Sequence, residues 1–414
     1  MSPVSRRTYV RLACALVALA AVVVRAEKDC RALTRRTLIP CGLERSPQLR
    51  VELASLRETE GRREAARPFL PSNPAIAASV ASRVGPSDQD LNWYLSLNQE
   101  LEIAGQSWLR TAAADEEVRA QRARVRVARA EVAVGLWELW FEALALDERL
   151  GVARKLEAAT AQVATTAREM ANRGLVPELD AVVADAALVS ASQRRLEVER
   201  QRALAAAQLS SAWGAEDAVA PEGQLEPLPV PDAATERPEV VGLGAARAAV
   251  TRRLELARRA RVPNPTLSLF VQNDGFHERV LGVGLGLPIP LPQPLGRTRS
   301  GEVTEAEAAA ERLGAELARL ERSLRLEQAT ARAEHRRSLE ASALFTAARL
   351  EATTRALDAL AAQLSAGRIT VREALLAQEP LFALLSAHVE ARLALCVATV
   401  RLRRALGATL EDVP

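Results

Sequence analysis

Ala366-Gly367-Arg368-Ile369-Thr370-Val371-Arg372-Glu373-Ala374 places one glycine inside a long helix-forming stretch and an acidic residue six positions later. The segment Arg173-Gly174-Leu175-Val176-Pro177-Glu178-Leu179-Asp180-Ala181, 193 residues upstream, repeats that arrangement. Glycine lets a helix end in a left-handed turn, and a short gap before a new helical pattern reads as a helical hairpin. Trp213-Gly214 and Leu406-Gly407 close the two halves at the same offset. The chain therefore reads as two tandem copies of one unit.

Composition bounds the class. The 414 residues are 49% hydrophobic, which suffices for a large core, while aromatics make up only 3%. Abundant Ala, Leu, Arg and Glu point to long helices packed through small side chains. A net charge of +3 implies no nucleic-acid partner. Lys28 and Lys155 are the only lysines, so the positive charge is almost all Arg.

Arg6, Arg7 and Arg11 precede an apolar run from Leu12 to Val24, then Val24-Arg25-Ala26 supplies a small-residue cleavage pattern. This is the form of a secretory signal peptide, too short for a spanning helix. No lipidation box surrounds Cys14 or Cys30, and no later stretch is continuously apolar enough for a second helical span. Cys30 and Cys41 can close a short loop in an oxidising compartment, leaving Cys396 as a small buried apolar residue. His277, His335 and His388 lie far apart, so neither a tetrahedral zinc site nor another cofactor is expected.

The resulting division is a signal peptide at 1–26, an irregular segment at 27–45, a first repeat at 46–214, a linker at 215–237, a second repeat at 238–407 and a tail at 408–414. Ser46-Pro47 opens a helix in the first repeat and Pro238 opens its counterpart. Strand hairpins are expected at 74–99 and 265–290. Leu91, Trp93, Leu95 and Leu97 alternate with Asn92, Tyr94, Ser96 and Asn98, which is the period of a two-faced strand. Leu281, Val283, Leu285, Leu287 and Ile289 alternate with Gly282, Gly284, Gly286 and Pro288. Turns are expected at Gly85-Pro86-Ser87-Asp88 and Asn273-Asp274-Gly275. One long helix is expected over 106–172, with Val118, Val125, Val132, Leu139 and Leu146 on a heptad, and another from about Gly301 to Ser365. The fold class is mainly α with a small β part.

Four strands of membrane-crossing length cannot stand in lipid with open edges, so other subunits must complete them. The apolar row Leu281, Val283, Leu285 and Leu287 is the expected lipid-facing side, with the glycine row on a crowded inner face. No nucleophile with a base and no phosphate-binding loop is present, so an enzyme is not expected.

These residues resemble the TolC-type outer-membrane efflux channels over about residues 30–410. Gly367-x-x-Thr370-x-x-Glu373-Ala374-Leu375-x-Ala377-Gln378 is similar to the family's hairpin motif, and Gly174-x-x-Pro177-x-x-Asp180 is a weaker first copy. The Asn-Pro before each strand pair and the closing Trp-Gly or Leu-Gly also match. Leu285-Gly286-Leu287-Pro288-Ile289-Pro290-Leu291 and Gly296-Arg297-Thr298-Arg299-Ser300-Gly301-Glu302 lean towards the heavy-metal-efflux branch. The resemblance implies a homotrimer with a twelve-stranded barrel in the outer membrane and a helical tunnel in the periplasm of a Gram-negative cell. It implies a tripartite efflux system exporting small molecules or metal ions, with a periplasmic adaptor (membrane fusion) protein bound directly and an inner-membrane pump reached indirectly. Adaptor docking then falls at Gly174, Leu175 and Val176 and at Gly367, Arg368, Ile369 and Thr370, and the closing aperture at Glu373 and Asp180. Pro177 removes a hydroxyl from the first copy, and the second acidic position of the ring falls at Leu376. A type I protein-secretion channel and a periplasmic adaptor or structural coiled-coil protein are the alternatives.

Overall fold

One helix sets the length of the molecule. Helix α3 spans Gln106–Asn172, 67 residues without interruption, and at 1.5 Å per residue it extends about 100 Å. This computed structural model describes residues 30, 32–84, 89–231, 233–273, 278–291 and 298–411. The expected signal peptide, most of both strand turns and Gly296 lie outside the described residues.

Ahead of α3 come β1 (Leu33–Thr34), α1 (Arg35–Arg45), α2 (Pro47–Ala66), β2 (Ala75–Val84) and β3 (Gln89–Glu100). After it follow α4 (Glu178–Trp213), β4 (Pro221–Glu222), α5 (Pro238–Arg259), β5 (Thr266–Asn273) and β6 (Arg279–Gly286). The chain then continues through α6 (Ser300–Ala343), α7 (Ala347–Ser365) and α8 (Val371–Ala405). Helix α3 packs against α2, α4, α5, α7 and α8, so it is the spine on which the other helices lie.

Along that spine Val118, Val125 and Leu146 are buried, whereas Val132 and Leu139 flank the core half-buried. An ideal helix drifts relative to a strict heptad, and mid-helix the buried seam passes to Leu136, Trp137, Trp140, Phe141 and Leu144. Trp137 meets Trp140 edge-on at 5.4 Å and stacks on Phe141 at 5.6 Å. Trp213, Leu225, Leu228, Val400 and Cys396 complete this main core.

The four-stranded antiparallel sheet has the order β2-β3-β5-β6. Its register aligns Ile76, Leu97, Leu269 and Val283 in one row across all four strands, and Ala78, Leu95, Val271 and Leu281 in another. The opposite face carries Ala77, Ser96, Phe270 and Gly282, then Ala75, Asn98, Ser268 and Gly284. A Cβ at Gly282 would overlap the Phe270 ring, and Tyr94 stacks on that ring at 5.8 Å. Among the described residues the outer strands β2 and β6 each keep one unpaired edge.

Four expectations are corrected. Residues 35–45 are helical, not irregular: Thr34 caps α1 and its N–H donates to Thr37 Oγ1 at 2.9 Å, while Leu38, Ile39, Cys41 and Leu43 are buried. Pro40 and Gly42 read as breakers, but tertiary burial outweighs their cost. The helix expected over 301–365 is two, broken at Leu344–Thr346. Thr346 caps α7 by accepting from Arg349 N–H at 3.4 Å, and the Arg349 guanidinium donates to Leu344 O at 2.8 Å. Strand β6 ends at Gly286, leaving Leu287 beyond it, because Pro288 has no N–H to donate. Finally, α8 is long and apolar enough to cross a membrane. Ion pairs Arg194–Glu379, Arg149–Glu390 and Arg392–Glu148 nevertheless bind it to α3 and α4.

Candidate functional site

The two glycine turns end their helices by the same hydrogen-bond pattern. Gly174 has φ 72° and Gly367 φ 67°. Gly174 N–H donates to Ala171 O and Leu175 N–H to Met170 O, both at 2.9 Å. At the second turn Gly367 N–H donates to Leu364 O at 2.9 Å and Arg368 N–H to Gln363 O at 3.0 Å. This paired bonding satisfies the last carbonyls of each helix and requires a left-handed residue.

The exits from the turns differ. Thr370 Oγ1 accepts from Glu373 N–H at 3.2 Å, and Thr370 N–H donates to Glu373 Oε2 at 2.8 Å, a complete capping box. Backbone and hydroxyl donation from Thr370 hold the Glu373 carboxyl below its ordinary range. Pro177 heads α4 with no side-chain cap, so the first four amides of that helix lack a side-chain acceptor at the cap. Glu178 and Asp180 lie in its first turn, where the helix dipole favours acids.

Packing brings the two hairpins together at this end. Ala159, Val163, Ala164 and Ala167 of α3 and Ala184 of α4 share one cluster with Leu357, Leu360 and Leu364 of α7 and Val371 and Ala374 of α8. Ile369 packs against that cluster, while Leu175 is 65% exposed and Arg368 and Thr370 are exposed beside it. Val176 and Asp180 are half-buried, and Glu373 is exposed. Leu376 is also exposed, one helical turn from the capping box.

Several features here carried no expectation. A shallow groove of about 470 Å³ runs between α3 and α7, lined by Ala161, Gln162, Thr165, Thr166, Ala361, Ala362 and Ser365. Small residues at a helical spacing are its signal. Thr160 meets buried Gln378 at 3.1 Å, and Arg194 grips Glu379 through two bonds of 3.0 and 2.7 Å. Both tie α8 to the first hairpin. No local motif marks such pairs, because the partners lie 218 and 185 positions apart. Among the described residues no group of three His, Cys, Asp or Glu is arranged to hold a metal ion.

The sheet is the second part of the site. Leu281 is 85%, Val283 70% and Leu285 74% exposed in β6, and Leu287 is exposed beyond its end. Gln106, whose Nε2 donates to Asn264 Oδ1 at 2.9 Å, and Asn264, whose Nδ2 donates to Glu100 Oε1 at 2.8 Å, link the sheet to α3.

A family model described as "Outer membrane efflux protein" matches residues 38–215. That stretch of the chain is similar to the outer membrane efflux proteins. No curated protein matches this chain in sequence. Among solved structures it is similar to a membrane protein from Pseudomonas aeruginosa, with TM-score 0.75 and 20% identity over 90% of this chain and 92% of that one. VceC of Vibrio cholerae gives TM-score 0.71 and 18% identity over 91% of this chain and 96% of that one. The MtrE outer membrane channel of Neisseria gonorrhoeae, solved in its open state, gives TM-score 0.71 and 18% identity over 91% and 89%. At these identities the likeness is one of fold.

Proposed function

We propose that this protein is an outer membrane efflux protein, the passive outer-membrane channel of a tripartite efflux system. It forms a homotrimer, and three four-stranded sheets close into a twelve-stranded barrel that passes small molecules or metal ions from periplasm to exterior. One observation carries the reading: an exposed sheet with apolar rows across all four strands on one face and small, polar or aromatic residues on the other, both of its edges unpaired among the described residues. Lipid offers backbone groups no hydrogen bonds, so such a sheet is stable there only as part of a closed barrel. Its apolar face, including Leu281, Val283 and Leu285, meets lipid. The helices below it, of which α3 alone extends about 100 Å, form the periplasmic tunnel.

The matching order of elements in the two halves and the paired glycine turns support a duplication of residues 46–214 as 238–407. Residues 1–26 are the export signal. At the tips, Gly174, Leu175 and Val176 together with Gly367, Arg368, Ile369 and Thr370 receive the adaptor protein, which connects the channel to an inner-membrane pump. Glu373 and Asp180, repeated around the trimer axis, place like charges at the aperture and draw in counter-cations. The test is fractionation followed by extraction in mild detergent. The expected outcome is a trimer from the outer membrane that conducts ions in a planar bilayer. A soluble periplasmic monomer would overturn the proposal.

A further inference from the structure

The described residues ahead of α2 belong to neither hairpin, yet they close over the joint where α3, α4, α8 and the linker meet. Leu33 and Thr34 pair in parallel with Pro221 and Glu222. Cys30 is bonded to Cys41, with Cα atoms 5.9 Å apart. The Arg45 guanidinium donates to Cys30 O at 3.4 Å and lies 4.8 Å above the Trp213 ring. Trp213 Nε1 donates to Thr37 O at 3.4 Å, and a Cβ at Gly42 would overlap Leu136. Residues 30 and 32–45 are thus a clasp across the end of α4 and the linker.

The two sulfurs differ in access. Cys41 is fully buried in the main core. Cys30 is half-buried on a cleft of about 770 Å³ that Arg45, Arg50, Trp213 and Gly214 also line. A third thiol, Cys396, lies in the same core as Cys41. Burial pushes it up to about 12, so it is unreactive once the joint has packed.

We propose that Cys30 and Cys41 form a modification site, with the chain acting as substrate for thiol–disulfide exchange with a disulfide-bearing oxidant, and that this oxidation closes the clasp. The Cys30 thiolate attacks one donor sulfur, the other donor sulfur leaves as a thiolate, and a mixed disulfide forms. The Cys41 thiolate then attacks the Cys30 sulfur and the remaining donor sulfur leaves. The chain gives up two protons and two electrons, and the donor disulfide becomes two thiols. Because Cys41 is inaccessible in the packed joint, closure precedes or accompanies the docking of α1. The residues bonded are 11 apart, and cross-linking a loop of that size shifts the opening equilibrium by about a hundredfold. The inference rests on the export that the proposed function entails.

The test uses the full-length purified protein and reads intact mass and amide exchange, neither of which depends on barrel insertion. A failure here therefore leaves the channel reading standing, and the reverse also holds. Unfolded protein alkylated after reduction should carry two more adducts than protein alkylated without it. Amides of residues 33–45 should exchange about a hundredfold faster in the Cys30→Ser/Cys41→Ser variant, with the sheet unchanged. Where that variant fails to fold, reduction of the unsubstituted protein gives the same reading. Incubated with oxidised glutathione, folded Cys41→Ser protein should gain one glutathionyl group and folded Cys30→Ser protein none. Free thiols at both positions as purified, unchanged exchange after reduction, or a glutathionyl group on Cys41 would each overturn the proposal.

Discussion

Gly174 and Gly367 face open space, so no neighbour would resist a side chain there. The cost of replacing either is conformational, roughly 1–2 kcal/mol for holding a bulky residue in the left-handed region. Gly367→Val should therefore open the tip turn without disturbing the sheet at the far end of α3. The expected outcome is reduced co-purification of the proposed adaptor with normal yield of the proposed trimer, and unchanged export would remove the docking role. Glu373 serves two roles at once, as capping partner and as candidate aperture charge. Its carboxyl is lowered from 4.5 by Thr370 N–H first and the Thr370 hydroxyl second. A depressed carboxylate stabilises the fold fully above its unfolded value and loses that contribution as pH falls through the folded one. Exchange of the α8 N-terminal amides should accelerate below about pH 4.5, and Glu373→Gln should flatten that dependence. Thr370→Ala should accelerate the same amides roughly fivefold at neutral pH. Glu373→Ala tested in a planar bilayer separates the roles: an identical cation conductance would leave Glu373 a cap alone.

The strands were the most legible elements, because alternation survives without knowing the partner. Trp93 to Leu97 and Leu281 to Leu285 each betray a two-faced strand in five residues. What the alternation does not contain is register, which sets Phe270 against Gly282. That pairing gives a sharp prediction. Gly282→Ala pushes a methyl group into the Phe270 ring and should cost about 1–3 kcal/mol by overpacking, read as a lower heat-dissociation temperature of the trimer. In a Phe270→Ala background the ring is gone, and Gly282→Ala should then cost little beyond Phe270→Ala itself. Helices were legible where a breaker marked the end, as at both glycine turns. No local signal marks the α6–α7 break, because Leu344-Phe345-Thr346 contains no Gly or Pro and Leu324, Ala331, Ser338 and Phe345 keep a seven-residue spacing up to it. Its cause is a local exchange of partners, with Arg349 serving the Leu344 carbonyl and Phe345 lying 5.4 Å from the His388 ring. Helix α1 is illegible for the opposite reason: Pro40 and Gly42 are visible breakers, and the burial that overrides them comes from α3 and α4.

At the scale of the whole chain, the sheet has one property that no single copy can satisfy. Strands β2 and β6 are separated by β3 and β5, and with neighbours about 4.8 Å apart they stand roughly 14 Å from each other. A disulfide needs Cα atoms within about 7 Å, so no cysteine on β2 can reach one on β6 of the same copy while the sheet is intact. If three sheets close into one barrel, β6 of each copy lies beside β2 of the next, and the same pair comes within reach. Ile76→Cys, Ala78→Cys and Val80→Cys project from the face that also carries Val283. Each combined with Val283→Cys samples one register of the proposed junction. Under oxidising conditions at least one combination should give covalent dimers and trimers on a denaturing gel, and reduction should return them to monomer. The single-cysteine variants should stay monomeric, since Cys396 is buried and Cys30 and Cys41 are already paired. Monomer alone from all three combinations, in protein recovered from the outer membrane, would mean that the edges are capped by something other than a second copy.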